Sequence, residues 1–199
     1  MFDLHIVKKD QQQTSSWMAG TTTQIAIYPK DSDYTDRNFL WRLSTAVVEL
    51  EESSFTQLPG FDRHLMVLEG ALELVHKDQY SVILKQYEQD HFKGGWDTVS
   101  LGKARDFNLM LKEGVRGRVE QRNTSAGQRF EIKLKAAGQK QSFYTCYCYK
   151  GQINLEAGGQ LAALAEGDLL LIGYHDDLWV AAENNGNAEC SLIAAFIEI

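Results

Sequence analysis

The chain has 199 residues, 44% of them hydrophobic and 24% charged, a composition that folds into one or two globular domains and leaves no room for a disordered majority. Its 20 Lys and Arg against 27 Asp and Glu give a formal charge of -7, which argues against nucleic acid or anionic lipid as a partner, because both call for a concentrated basic face. No run of apolar residues reaches the roughly eighteen that a membrane-spanning helix needs, and the charged start Met1 to Asp10 does not read as a secretory signal.

In chain order, β-branched and aromatic residues concentrate at Thr22-Tyr28, Trp41-Leu50, Arg63-Val75, Tyr80-Leu84, Thr98-Leu101, Asp106-Lys112, Arg129-Leu134 and Tyr144-Tyr149, and each run reads as a strand. The best helix-like stretch, Gln160 to Ala165, is short and ends at Glu166-Gly167-Asp168. The three cysteines, Cys146, Cys148 and Cys190, are an odd number without a second Cys pair or a His-x-x-x-His. They read as small buried thiols of a reducing compartment. Cytoplasmic localisation is expected, and homodimerisation is left open.

A faint repeat runs through these strands. Leu68-Glu69-Gly70-Ala71-Leu72-Glu73-Leu74 is matched by Tyr149-Lys150-Gly151-Gln152-Ile153-Asn154-Leu155, and Gln89-Asp90 within Leu84 to Phe92 is set against Gly167-Asp168 within Leu164 to Leu171. Two landmarks in the same order favour a duplication, and the many short strands with Gly and Asp turns imply an all-β sandwich or barrel of the jelly-roll kind. The expected domains are 1–130 and 131–199, with strand exchange between them allowed for.

Five segments carry a more specific signal: Trp17-Met18-Ala19-Gly20-Thr21-Thr22-Thr23-Gln24, Trp41-Arg42-Leu43-Ser44-Thr45-Ala46, Leu58-Pro59-Gly60-Phe61-Asp62-Arg63, Leu65-Met66-Val67-Leu68-Glu69-Gly70 and Asp106-Phe107-Asn108-Leu109-Met110. As an ordered set over residues 17 to 110 they resemble the HutD/Ves family. The resemblance implies a bicupin of two jelly-roll, RmlC-like β-barrels and an association with histidine utilisation or stress responses. It departs from the family at Ala19 and Gln24, where an Asn and a Glu are usual.

Residue chemistry narrows the function. Arg42 and Ser44 share one strand face, as do Asp106, Asn108 and Met110. If both faces line the interior, a guanidinium, a hydroxyl, a carboxyl and an amide surround one cavity, which suits a small carboxylate. The alternative for Arg42 is a buried ion pair with Asp106. Arg63 is placed at the rim, and His64 is a candidate inward-pointing side chain. Trp17 and Trp41 are either lids or core. No His-x-His with a carboxylate and a later His is present, so no metal or other cofactor is expected. The leading expectation is a metal-independent binder of a small carboxylate, N-formylglutamate or a related intermediate of histidine breakdown through the family resemblance. The alternative is a metal-free isomerase or hydrolase using Asp106 and His64.

Overall fold

A computed structural model of the chain describes residues 1–138 and 140–199. The architecture is all-β: among the described residues there is no α-helix, only a 3-10 turn at Lys9–Gln11. The strands are β1 (Phe2–Val7), β2 (Gln13–Trp17), β3 (Gly20–Tyr28), β4 (Trp41–Val48), β5 (Glu52–Ser54), β6 (Phe61–Gly70), β7 (Leu72–His76), β8 (Tyr80–Leu84), β9 (Gln89–Lys93), β10 (Thr98–Leu101), β11 (Ala104–Lys112), β12 (Arg116–Thr124), β13 (Arg129–Leu134), β14 (Ser142–Lys150), β15 (Gln152–Ala157), β16 (Gln160–Ala165), β17 (Leu169–Tyr174), β18 (Leu178–Glu183) and β19 (Cys190–Glu198). The helix-like Gln160–Ala165 is strand β16, with Ala162 and Leu164 inward.

The chain forms two compact units, one of residues 12–115 and one of residues 1–11 with 116–199. The middle unit has a six-stranded sheet, β2-β3-β4-β11-β6-β9, and a four-stranded sheet, β5-β10-β7-β8. Leu65, Val67, Leu72, Leu74, Leu84, Phe92 and Ala104 form its core from both sheets. The other unit has a five-stranded sheet, β1-β17-β14-β19-β12, and a four-stranded sheet, β13-β18-β15-β16. Its core, which includes Tyr144, Cys146, Ile153, Leu155, Leu170 and Val180, also draws on both sheets. β7 and β15 show why: every second residue is buried, and each Leu or Ile so placed contributes about 1.5–3 kcal/mol.

Two expectations need correction. Closed barrels are not formed, because within each unit the two sheets have separate hydrogen-bond ladders and face each other as a sandwich. The division of the chain also differs from a cut after residue 130. β12 pairs with β19 from Arg116↔Glu198 to Thr124↔Cys190, which carries the segment from residue 116 into the C-terminal unit. β1 joins the same unit by pairing with β17 from Phe2↔Tyr174 to Val7↔Leu169. A clasp follows this strand: Lys8 Nζ lies 2.7 Å from Asp168 Oδ2, and the Lys9 N–H donates to Asp168 Oδ1 at 3.1 Å.

Strand pairing repeats between the units. β4 to β11 and β12 to β19 are two sets of eight with the same partners in the same order. A bulge falls at Leu68 in β6 and at Tyr149 in β14, followed in both cases by a glycine of positive φ, Gly70 and Gly151. Backbone bonds then fix the second landmark. Val67 exchanges hydrogen bonds with Tyr87 and Glu88, and Cys148 does the same with Gly167 and Asp168. Glu88 accepts from the Lys85 N–H through its side chain, and Asp168 accepts from the Ala165 N–H. The acidic turn matching Gly167-Asp168 is therefore Tyr87-Glu88, two residues before Gln89-Asp90.

A Cβ on Gly70 would stand 2.5 Å from the Lys103 carbonyl oxygen, whereas one on Gly114, also at positive φ, would meet nothing within 4 Å. Gly114→Ala is expected to cost about 1–2 kcal/mol through its backbone alone, and Gly70→Ala clearly more. Chemical denaturation of the two variants measures the difference.

Candidate functional site

The inner face of the six-stranded sheet holds an unusual polar patch. Register sets three side chains in one row, Arg63 on β6, Met110 on β11 and Arg42 on β4. The next inward row brings Asn108 beside Ser44 and Gln24, and the third brings Asp106 beside Ala46 and Thr22. Because side chains on these strands alternate, residues two apart along β4 and β11 face the same space. They line a cavity of about 270 Å³ together with Trp17, Tyr34, Phe55 and Thr56.

Both arginines are buried inside this cavity wall, so Arg63, only 3% exposed, is not a rim residue. Arg42 donates from Nε to Gln24 Oε1 at 2.8 Å and from Nη1 to Ser44 Oγ at 3.2 Å, and its guanidinium lies 4.4 Å from the Tyr34 ring centre. Arg63 donates from Nη2 to the Thr56 carbonyl at 2.6 Å and lies 5.4 Å from the Phe55 ring centre. Among the described residues neither arginine forms a salt bridge, although Arg63 and Asp106 act on each other electrostatically; the alternative of an Arg42 pair with Asp106 is not made. Burial pushes the Arg42 guanidinium down to about 10, with Tyr34 raising it and Arg63 lowering it further. Arg63 is lowered as well, first by burial.

Three polar atoms of this wall are buried without a hydrogen-bond partner: Arg63 Nε, Asp106 Oδ1 and Asn108 Oδ1. Groups of this kind are uncommon in folded proteins, and each calls for an explanation, of which a bound ligand or an ordered water is one. Burial pushes the Asp106 carboxyl up to about 7, against the lowering effects of the Ala46 backbone and of Arg63.

Of the six candidates from sequence, Arg42, Ser44, Arg63, Asp106 and Asn108 meet at this cavity. His64 does not. With Arg63 inward, its neighbour on β6 faces the other side of the sheet, where its ring stacks on His91 at 4.1 Å. Burial and the nearby His91 push His64 down to about 4, while Asp62 raises it. An acid-base pair of Asp106 and His64 is thereby ruled out. Trp17 lines the cavity and is 38% exposed, whereas Trp41 is fully buried. Gln24, Tyr34 and Phe55 also contact the two arginines; Gln24 adjoins a bulge, and Tyr34 lies between strands, so neither follows a strand pattern.

The same positions in the other unit have different chemistry. Through the shared pairing, Arg42, Ser44, Arg63, Asp106, Asn108 and Met110 correspond to Arg118, Glu120, Tyr144, Leu192, Ala194 and Phe196. Arg118 bonds Glu120 at 2.8 Å and covers the Phe196 ring at 3.8 Å. Tyr144 packs on Phe196 beside a cavity of about 40 Å³, and Arg118 and Phe196 also line a separate one of about 510 Å³ with Arg116, Lys133, Lys135 and Glu198.

A family model described as HutD matches residues 9–190. The chain belongs to the HutD family. No curated protein sequence matches it. Among solved structures it is similar to a conserved protein of unknown function from Pseudomonas aeruginosa PAO1, at 23% identity and a TM-score of 0.84 over 99% of this chain and 100% of that one. It is also similar to HutD from Pseudomonas fluorescens SBW25, at 20% identity and a TM-score of 0.68 over 97% and 98% of the two chains. Oxalate decarboxylase of Bacillus subtilis, whose Mn(II) centres have been characterised, aligns at 6% identity and a TM-score of 0.66 over 96% and 76% of the two chains. These likenesses establish a cupin-like fold for this HutD family member. The cavity described above does not suit a metal: two guanidiniums face it, and among the described residues no three His, Cys, Asp or Glu side chains gather closely enough to hold an ion.

Asp106 links the cavity to stability. Its carboxyl is raised on folding, so the folded state loses stability as pH rises from about 4 to about 7 and loses no more above that. Asp106→Asn removes this loss. The variant is expected to be more stable than the parent by a few kcal/mol above about pH 7, with the gap closing toward pH 4. Denaturant titrations across that range measure it.

Proposed function

We propose that the chain is a metal-independent bicupin whose middle unit binds a small carboxylate, and that it modulates histidine utilisation through that ligand. The observation that carries the reading is the pair of buried guanidiniums, Arg42 and Arg63, which face one cavity without a carboxylate of their own. A buried cation without an ion pair is costly unless a charged partner arrives, and arginine presents the two parallel N–H groups that a carboxylate accepts. Asn108 adds an amide able to orient an amide or formyl group. The volume, about 270 Å³, lies just below the range of about 300–1,000 Å³ typical of drug-sized ligands. It suits a metabolite.

N-formylglutamate fits this description through the family's link to histidine breakdown, and the P. fluorescens HutD structure was obtained in a formate condition. The repeated eight-strand pairing supports the bicupin description. Three free, buried cysteines accord with a reducing, cytoplasmic setting.

A thermal-shift screen of small acids tests the reading, since a ligand at a hundred times its dissociation constant adds about 2.7 kcal/mol of stability. Against the best acid, Arg42→Ala and Arg63→Ala are each expected to weaken binding about ten- to a hundredfold. Asn108→Ala weakens it through the loss of an orienting group. Arg118→Ala, in the other unit, leaves the affinity unchanged. Calorimetry on the four variants checks the set, and equal affinity for parent, Arg42→Ala and Arg63→Ala would place the ligand elsewhere.

A further inference from the structure

Asp106 is the acidic group on the wall of this cavity, and its situation is odd. The carboxyl is buried, one of its oxygens has no hydrogen-bond partner, and among the described residues Arg63 acts on it electrostatically without forming a salt bridge to it. The groups that face it from the surrounding elements are few. β4 contributes Arg42, which is committed to Gln24 and Ser44. β6 contributes Arg63, whose Nη2 is committed to the Thr56 carbonyl. The segment between β3 and β4 contributes Tyr34; β3, β5 and β11 add only the uncharged Thr22, Ser53, Ser54 and Asn108. A carboxylate in this position would also stand beside any anion that the arginines bind, where two like charges oppose each other.

We infer that Asp106 enters the ligand complex as the neutral acid, donating its O–H to a ligand carboxylate whose charge is met by Arg42 and Arg63. The inference rests on the acid-binding reading above and deepens it. The cavity takes up a carboxylate and one proton together: above neutrality the proton comes from solvent, stays on Asp106, and is released when the ligand leaves. The free carboxyl already titrates at about 7, so the coupling falls in the physiological range. Asp106 thereby acts as a specificity residue. Protonated, it leaves the cavity with two positive charges and a donor, which favours an anion over its neutral amide isostere. Ionised, it would favour a ligand that brings an N–H group instead, with the opposite dependence on pH.

The test is calorimetry on the full chain with formate and with succinate, and with formamide as the neutral control, between about pH 6 and about pH 8.5. Titrations are run in HEPES and in Tris, whose ionisation heats differ. Affinity for the acids is expected to fall toward tenfold per pH unit above about pH 7.5, with proton uptake approaching one per ligand. Formamide is expected to bind too weakly to measure. In Asp106→Asn the amide donates in place of the O–H, and the pH dependence disappears. Should that variant not fold, difference infrared spectroscopy of the parent at about pH 8 reads the same event as a protonated-acid C=O band that appears on adding ligand. Acid binding that is independent of pH, with equal heats in both buffers, overturns the inference but leaves the acid-binding reading in place. Affinity that rises with pH does the same. Binding of neither acid at any pH overturns both.

Discussion

Arg42 and Arg63 flank Met110 in one cross-strand row, so two guanidiniums share a low-dielectric space and neither has a carboxylate to itself. Removing a charge from water is costly, and a folded chain usually recovers the cost with a counter-charge. Here the recovery is partial. Gln24, Ser44 and the Thr56 carbonyl accept hydrogen bonds from the guanidiniums, and the rings of Tyr34 and Phe55 cover them. These groups orient the arginines without neutralising them. Asp106, which might have done so, is itself driven toward its neutral form by burial. The result is a sandwich interior that holds positive charge in a fixed geometry, as preorganised recognition of an anion requires.

The other unit shows the same framework with a different wall. Strand pairing, the bulge and the glycine after it are kept, because each is a backbone requirement. The wall is not. Tyr144 stands where Arg63 does, Leu192 where Asp106 does and Phe196 where Met110 does, and the space these three share is only about 40 Å³. Arg118 keeps its charge but bonds Glu120. Aromatic and aliphatic side chains fill the interior of this unit at these positions.

The parts of this arrangement that obey a period of two were legible in the sequence. Arg42 with Ser44 and Asp106 with Asn108 lie two apart on strands, and the structure puts all four on one cavity. His64 was misplaced by a single step. Asp62, Arg63 and His64 are three polar residues in succession, so no apolar alternation fixes which of them points inward. Tyr34 and Gln24 obey no period, one lying between strands and the other at a bulge. The first repeat landmark was readable because it carries a glycine at the same place both times. The second was displaced by two residues because Tyr87, at a φ of 66°, takes the positive-φ position that a glycine, Gly167 at 93°, takes in the other unit. The domain boundary escaped for a related reason: β12 reads Arg-Gly-Arg-Val-Glu-Gln-Arg-Asn-Thr, with Val119 as its one large apolar side chain, and nothing in it marks a strand.

The antiparallel ladder of β1 on β17 has a consequence for how the molecule is made. A strand within the first eight residues hydrogen-bonds to one at 169–174, and Lys8 and Lys9 grip Asp168 beyond it. At about 5–20 residues per second, a ribosome emits the later partner many seconds after the earlier one. The middle unit, residues 12–115, is contiguous and can assemble in that interval. β1 therefore leaves the tunnel well before its partner and is among the last of these strands to be seated, and until then β17 offers an open edge to any other extended chain nearby.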